Sequence, residues 1–273
     1  MIRFAKAHAG GNDFLIVEEK AVRGHDRAEL TRRLCARNTG IGADGVEFFE
    51  WTGPKAGRIT LHNSDGSIAE IGGNGTRCVA AWMAEELKSK PGDELKVETD
   101  AGVRICRVNK LHKVGGFTVD VTTAMGIPHF DLRTVKLADG TEIAGVEVST
   151  GNPHFVILVG NAEFAVAGRS WEEIGAQLCV HPDFPEQTNV EFVRLTRKKA
   201  IEIRIFERGV GPTTCSGTGS SASATAALAL HGRVSPLAVV APGGEQTVEW
   251  SGPGTELWLT GPTALIARGE AWC

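Results

Sequence analysis

The chain has no tyrosine, only three methionines, and no apolar run long enough to cross a bilayer as a helix. It has no Cys-x-x-Cys pair. Its six cysteines and eight histidines are scattered without metal-ligand spacing, so no metal site is expected. Neither sign of charge dominates. A net charge of -4 over 273 residues lacks the basic patch that a nucleic-acid binder carries. No glycine-rich turn ends in Gly-Lys-Ser/Thr, which argues against a phosphate-binding loop of the nucleotide-hydrolase kind. The opening residues, MIRFAKAHAG, contain no long apolar core and are not expected to be a signal peptide. The expected compartment is therefore cytoplasmic, with the cysteines reduced and mostly acting as small buried hydrophobes.

What the chain has in quantity is glycine, 34 residues, without any low-complexity period. That points to many tight turns and close backbone approaches. At 42% hydrophobic and 23% charged, the composition is that of a globular protein with a sizeable core. Most segments read as short strands bounded by Gly, Asn, Asp and Pro. They are Phe14–Val17, Arg58–Leu61, Leu95–Glu98, Val103–Val108, Phe117–Val121, Gly145–Val148, Phe155–Val159, Glu191–Leu195 and Ala200–Phe206, with further strands from Val239 to Ala267. Helical spacing is confined to Asp26–Arg37, Asn74–Leu87 and Gly219–His231. The last of these carries no charge and many small residues, so it is expected to be buried on nearly all sides. A buried helix among short strands suggests a helix threaded through a curled sheet.

The two stronger helices open alike, on Gly72-Gly73-Asn74-Gly75 and Ser216-Gly217-Thr218-Gly219, at an offset of 216 − 72 = 144. Gly11-Asn12-Asp13-Phe14 is echoed by Gly151-Asn152-Pro153-His154-Phe155, and the strand into His62-Asn63 by the strand into Phe206-Glu207. Three matched features in one order imply an internal duplication. A glycine-rich turn that opens a helix presents backbone N–H groups at the positive end of the dipole, an anion site. Plain turn glycines with Asn74 and Ser216 as helix caps are the simpler alternative. Asn12, Asn63, Asn152 and Asn189 each flank an expected strand. Together with Glu207 and Arg208 they suit an amino acid: Arg208 forks onto a carboxylate and Glu207 pairs with an ammonium. A solvated charge pair at a strand end is the commoner fate of such neighbours.

The motifs HAGGNDF (8–14), IGADGVEFF (41–49), HNSDGSIAEIGGNGTRC (62–78), GNPHF (151–155), TNVEF (188–192) and ERGVGPTTCSGTG (207–219) resemble those of diaminopimelate epimerases. More broadly, they resemble the cofactor-independent amino-acid racemases and PhzF-like isomerases. The likeness runs over nearly the whole chain. It implies an α+β fold of two pseudo-symmetric domains, each a β-barrel-like sheet around a central helix, with the active site in the cleft between them. The expected division is residues 1–116 plus 263–273 and residues 117–262. The resemblance implies that Asn12, Asn63, Asn152, Asn189 and Arg208 hold the distal end of the substrate and that Glu207 contacts its ammonium. Gly73, Asn74, Gly217 and Thr218 match the backbone cradle for the carboxylate at the reacting centre. No cofactor is implied, pyridoxal phosphate included. The expected partner is a small amino acid, with a homodimer as the assembly considered and neither nucleic acid nor membrane involved.

The departure lies at the catalytic pair. The family places a cysteine immediately before each Gly-x-Gly turn, and this chain has Gly72 and Ser216 there. Glycine has no side chain to act as acid or base, and a serine hydroxyl is a poor base unaided. Three readings stay open: an epimerase with a changed proton-transfer pair, a one-base isomerase of a related amino acid, and an amino-acid-binding homologue with an impaired site. Ser216 is the first candidate for proton transfer, His62, Asp65 and Cys215 are further candidates, and Glu70 ranks low because ordinary members of the family can carry glutamate there. Cys78 is expected to be structural.

Overall fold

The computed structural model describes residues 1–68, 73–100, 102–112 and 116–272. The chain divides into two compact units, Met1–Ala124 with Thr260–Cys273, and Met125–Leu259.

In the first unit, β1 (Ile2–Ala9) turns back into β2 (Asn12–Glu18) as an antiparallel pair, with Ala9 opposite Asn12. The turn needs Gly10 and Gly11, both at positive φ. Helix α1 (Arg27–Cys35) then carries the chain over to β3 (Gly45–Gly53), which lies parallel to β2 with Phe14 opposite Gly45. Asp26 caps α1 by accepting the Glu29 N–H at 2.9 Å. Strand β4 (Ala56–Asn63) returns antiparallel, and α2 (Gly73–Glu86) makes the second crossover, to β5 (Glu94–Thr99), parallel to β4. Strands β6 (Gly102–His112), β7 (Phe117–Gly126) and β16 (Leu257–Ala271) complete a ring, because β16 pairs back onto β1. Inside this closed barrel of eight strands, α2 is buried from Gly73 to Ala84. Val79, Trp82 and Met83 pack against Phe49, Leu95, Val97, Val108 and Val121.

The second unit repeats the plan. Its strands run β8 (His129–Lys136), β9 (Glu142–Ser149), β10 (Pro153–Val159), β11 (Asn189–Arg197), β12 (Ala200–Glu207), β14 (Leu237–Ala241) and β15 (Gly244–Glu249), with the short β13 (Gly211–Thr213) paired to β12. The senses of pairing from β9 to β15 match those from β1 to β6 strand for strand: antiparallel, parallel, antiparallel, parallel, antiparallel. Each parallel step is bridged by a helix, α3 (Trp171–Cys179) and then α4 (Gly217–Leu230). The sheet curls around α4, which touches every strand from β9 to β15 except the short β13. Of the α4 residues, Gly217 to Ala227 are buried, as its uncharged, small-residue composition requires. The fold is thus α+β, two pseudo-symmetric domains each built around one central helix.

Some elements escape the sequence reading. Strand β3 is buried on both faces along Gly45–Phe49, so it lacks the alternation by which a half-wet strand is recognised. Helix α3 is short, but its Ser170-x-x-Glu173 start is a capping signature, and the Ser170 hydroxyl does accept the Glu173 N–H at 3.2 Å. Strands β1 and β8 also go unrecognised. Where Ile201, Ile203 and Ile205 alternate with Glu202 and Arg204, the isoleucines are buried and the charged pair half-buried.

Candidate active site

In the second unit, the end of β12 and the starts of β10, β11 and α4 converge through a chain of side chains. Ser216 precedes α4 in an extended conformation, and its Oγ accepts the Gly219 N–H at 3.1 Å. It is an N-cap, which leaves the N–H groups of Gly217 and Thr218 at the open end of the helix, aimed out of its first turn. Ser216 Oγ also lies 3.3 Å from Thr218 Oγ1. Asn152 Nδ2 donates to Thr218 Oγ1 at 3.4 Å, and Asn152 Oδ1 lies 3.0 Å from His154 Nε2. His154 Nδ1 in turn sits 2.8 Å from Glu191 Oε1, and both side chains are fully buried. Next to this line, Asn189 Nδ2 donates to the Pro153 carbonyl at 2.9 Å, and its Oδ1 accepts the Arg208 N–H at 3.0 Å. The Arg208 guanidinium reaches the Glu186 carbonyl at 2.9 Å. Glu207 is the last residue of β12 and half-buried.

The first unit gathers its own set at one end of the barrel, where β2 and β3 begin and β4 ends. Asn74 Nδ2 donates to Asn12 Oδ1 at 3.3 Å, and Asn12 Nδ2 donates to Asp44 Oδ2 at 2.6 Å. The Ser64 N–H donates to the Asp44 carbonyl at 2.9 Å, which draws the Asn63 turn to the same place. Asn63 Nδ2 itself donates to Ser67 Oγ at 3.1 Å. Below them lies Asp13. Burial pushes its carboxyl up, but Lys6 at 2.9 Å and Arg37 at 3.0 Å outweigh that and hold it below the usual range.

One alternative is corrected here. Asn74 is not a helix cap: it lies within α2, and its Oδ1 accepts from the buried Arg77 Nη2 at 2.6 Å. His62 and Asp65, two of the proton-transfer candidates, both make contacts within the turn that follows β4. The His62 ring packs edge-on against Phe48, with Nδ1 3.2 Å from the Gly66 carbonyl, and Asp65 accepts from the Ser67 N–H and hydroxyl to form the turn. Cys78 is fully buried, and burial drives its thiol far up, as befits a packing residue. Cys215 is buried as well. Gly72 and Glu70 lie outside the described residues.

One residue absent from the sequence-based list stands out. Glu47, on β3, is fully buried, and among the described residues neither of its carboxylate oxygens has a hydrogen-bond partner. Its carboxylate fills the space beside Gly75 in the first turn of α2, where a Cβ would collide with it. Glu191 holds the same place in the other unit: a Cβ on Gly219 would lie 2.8 Å from its Oε1. The offsets agree, since 191 − 47 and 219 − 75 are both 144. That arithmetic was the available signal, together with a glutamate set in an otherwise apolar strand. Among the described residues, no group of His, Cys, Asp and Glu is arranged to hold a metal ion, and no helix is long and apolar enough to cross a membrane.

Each unit thus gathers amide side chains about the first turn of its central helix, on a duplicated barrel-and-helix fold. Comparison with known proteins narrows the class. A family model described as diaminopimelate epimerase matches residues 4–128 and 146–266. The diaminopimelate epimerase of Moorella thermoacetica is 35% identical, over 98% of this chain and 99% of its own. That of Pseudomonas fluorescens is 32% identical, over 99% of both. The chain belongs to the diaminopimelate epimerase family. Solved structures show the same fold at lower identity. A PhzF-family phenazine biosynthesis protein of Bacillus anthracis aligns at a TM-score of 0.71 with 16% identity, covering 100% of this chain and 99% of its own. A probable proline racemase of Agrobacterium radiobacter aligns at 0.73 with 17% identity, covering 100% and 93%.

Proposed function

We propose that this protein interconverts LL- and meso-diaminopimelate by proton abstraction and return at the α-carbon, without pyridoxal phosphate. The observation that carries the reading is the set of retained ligand positions. Asn12, Asn63 and Asn74 gather at one end of the first barrel, while Asn152, Asn189, Arg208 and Thr218 share one hydrogen-bonded neighbourhood in the second unit. In this reading Arg208 and the four asparagines Asn12, Asn63, Asn152 and Asn189 hold the distal amino-acid end, and Glu207 pairs with the ammonium. The N–H groups of Gly73, Asn74, Gly217 and Thr218 hold the carboxylate at the reacting carbon. Hydrogen-bond donors at helix starts stabilise the charge that develops when the α-proton leaves. The reading brings with it a cytoplasmic enzyme of lysine and peptidoglycan synthesis, with a free amino acid as its partner and a homodimer as its assembly.

A specific observation favours a second reading, that of a one-base isomerase. Position 72 is glycine, and the Ser216 hydroxyl is engaged as a helix cap. One experiment separates the readings: incubation with LL-diaminopimelate in D₂O, following α-deuterium and stereochemistry together. Exchange with inversion is the outcome expected of the epimerase. Exchange without inversion establishes one-base chemistry, and binding without exchange leaves an amino-acid-binding protein.

A further inference from the structure

The two halves of the duplication treat the same carboxylate differently. In the second unit Glu191 is paired: His154, on β10, reaches it at 2.8 Å. In the register of the parallel pairs, His154 lies opposite Asn189 and Phe14 lies opposite Gly45. Since 189 − 45 = 144, Phe14 is the counterpart of His154. The first unit therefore sets an apolar ring where the second sets a hydrogen-bond partner, and among the described residues Glu47 has no hydrogen-bond partner.

Such a residue has no structural justification of its own. A buried, unpartnered carboxyl destabilises a core that leucine would fill without cost. Burial alone moves the Glu47 carboxyl from its ordinary 4.5 to about 8. Among the described residues burial is the one cause of this shift. On α2 the nearby titratable groups are Cys78, a thiol driven up by burial, and Arg77, which donates to Asn74. On β2, Asp13 is held by Lys6 and Arg37. On β4 the residue opposite Glu47 is Leu61, and the neighbouring His62 packs on Phe48. A desolvated carboxyl that changes charge near neutral pH, set in a low-dielectric site, is what general acid–base chemistry requires.

We propose that Glu47 is the catalytic proton acceptor and donor of the first unit, in place of the side chain that Gly72 lacks. The inference rests on the reading given under Proposed function. Its carboxylate lies against Gly75, in the same turn of α2 as Gly73 and Asn74, whose N–H groups hold the substrate carboxylate in that reading. Ionised Glu47 takes the α-hydrogen as a proton. The C–H electron pair stays on the α-carbon and spreads into the adjoining carboxylate. The same carbon then regains a proton, either from Glu47, which is thereby ionised again, or from a solvent-derived donor on the opposite face, in which case protonated Glu47 gives its proton up to solvent before the next turnover. No redox partner is needed.

The test compares wild type with Glu47→Gln, which keeps the shape and removes the ionisation, and with Glu47→Asp, which keeps a carboxylate on a shorter stem. Diaminopimelate binding is followed by calorimetry, α-deuterium exchange in D₂O by mass spectrometry, and kcat/KM from pH 6 to pH 9. The expected result for Glu47→Gln is an affinity within about threefold of wild type and an exchange rate lowered at least about 100-fold, the usual scale of a lost general base. Wild-type kcat/KM is expected to rise with pH through a midpoint near 8. Glu47→Asp is expected to keep that limb, displaced, at a reduced rate. Should Glu47→Gln not fold, Glu47→Asp decides alone: a wild-type rate with an unmoved limb overturns the proposal. Glu47→Gln that exchanges at the wild-type rate overturns the role of Glu47 and leaves the epimerase reading intact. A wild type that neither binds nor exchanges diaminopimelate overturns both.

Discussion

Ser216 Oγ accepts the backbone N–H of Gly219 at 3.1 Å, so the side chain proposed to stand at a catalytic position serves as the N-cap of α4. A hydroxyl used in this way satisfies one of the helix's first four N–H groups. Ser216→Ala should therefore lower the unfolding free energy by about 1 kcal/mol, measured by urea denaturation at neutral pH. Ser216→Asn, which can also cap, should recover most of it. If both variants unfold at the wild-type midpoint, the cap contributes nothing and Ser216 is free for another role.

Glu47 makes the stability of the protein fall as pH rises. Its folded-state carboxyl is raised from 4.5 to about 8. Below pH 4.5 both the folded and unfolded states hold the proton, and no stability is lost. Between those values the unfolded chain releases the proton and the folded one keeps it, so stability declines, and above about 8 the loss is complete. The full loss is on the order of 5 kcal/mol. Glu47→Leu should remove that decline, so the gap between variant and wild type should widen from pH 5 to pH 8 in denaturant titrations. Phe14→His should do the same by another route, giving Glu47 the partner that Glu191 already has. A constant gap across this range would show that Glu47 does not titrate there.

The duplication was legible because its strongest marks are local. Gly-x-Gly before a helix and Gly-Asn before a strand recur at nearly fixed offsets, and turn glycines and caps depend only on near neighbours. The asparagines that flank strands are legible for the same reason. What separates Glu47 from Glu191 is tertiary: whether a histidine or a phenylalanine sits on the adjoining parallel strand, and whether the face is buried. Strand β3 gave no alternation to show which way Glu47 points, because both its faces are covered along Gly45–Phe49. Asn74 is not a cap because it already lies within α2, which a boundary read from spacing alone does not resolve.

Arg208 is held by its backbone N–H to Asn189 and by its guanidinium to the Glu186 carbonyl. In the proposed function the guanidinium forks onto the distal carboxylate of the substrate. Arg208→Ala should weaken diaminopimelate binding by roughly 2–5 kcal/mol, because a desolvated carboxylate loses its partner. Arg208→Lys should recover only part, since an ammonium cannot present two parallel donors. Calorimetry on folded variants measures both, and an unchanged affinity in Arg208→Ala removes it from the site.

The sharpest prediction on the chemistry concerns positions 72 and 216, where the motif resemblance implies a pair of thiols. Gly72 offers no acid or base, and Ser216 offers a hydroxyl already used as a cap. Wild-type epimerisation should be slow beside that of relatives with both cysteines. Gly72→Cys and Ser216→Cys installed together should raise it by more than the two single changes multiplied, because a thiolate on one side is useful only with a proton donor on the other. The thiolate form is favoured at a helix N-terminus, so the Ser216→Cys half has its activation built in at the start of α4. Ser216→Cys also removes the cap, so about 1 kcal/mol of stability should be lost alongside any gain in rate. A thermal melt of each variant separates that loss from the chemistry. If the double variant is folded and no faster than wild type, positions 72 and 216 do not flank the reacting carbon, and the proton transfer runs through other residues.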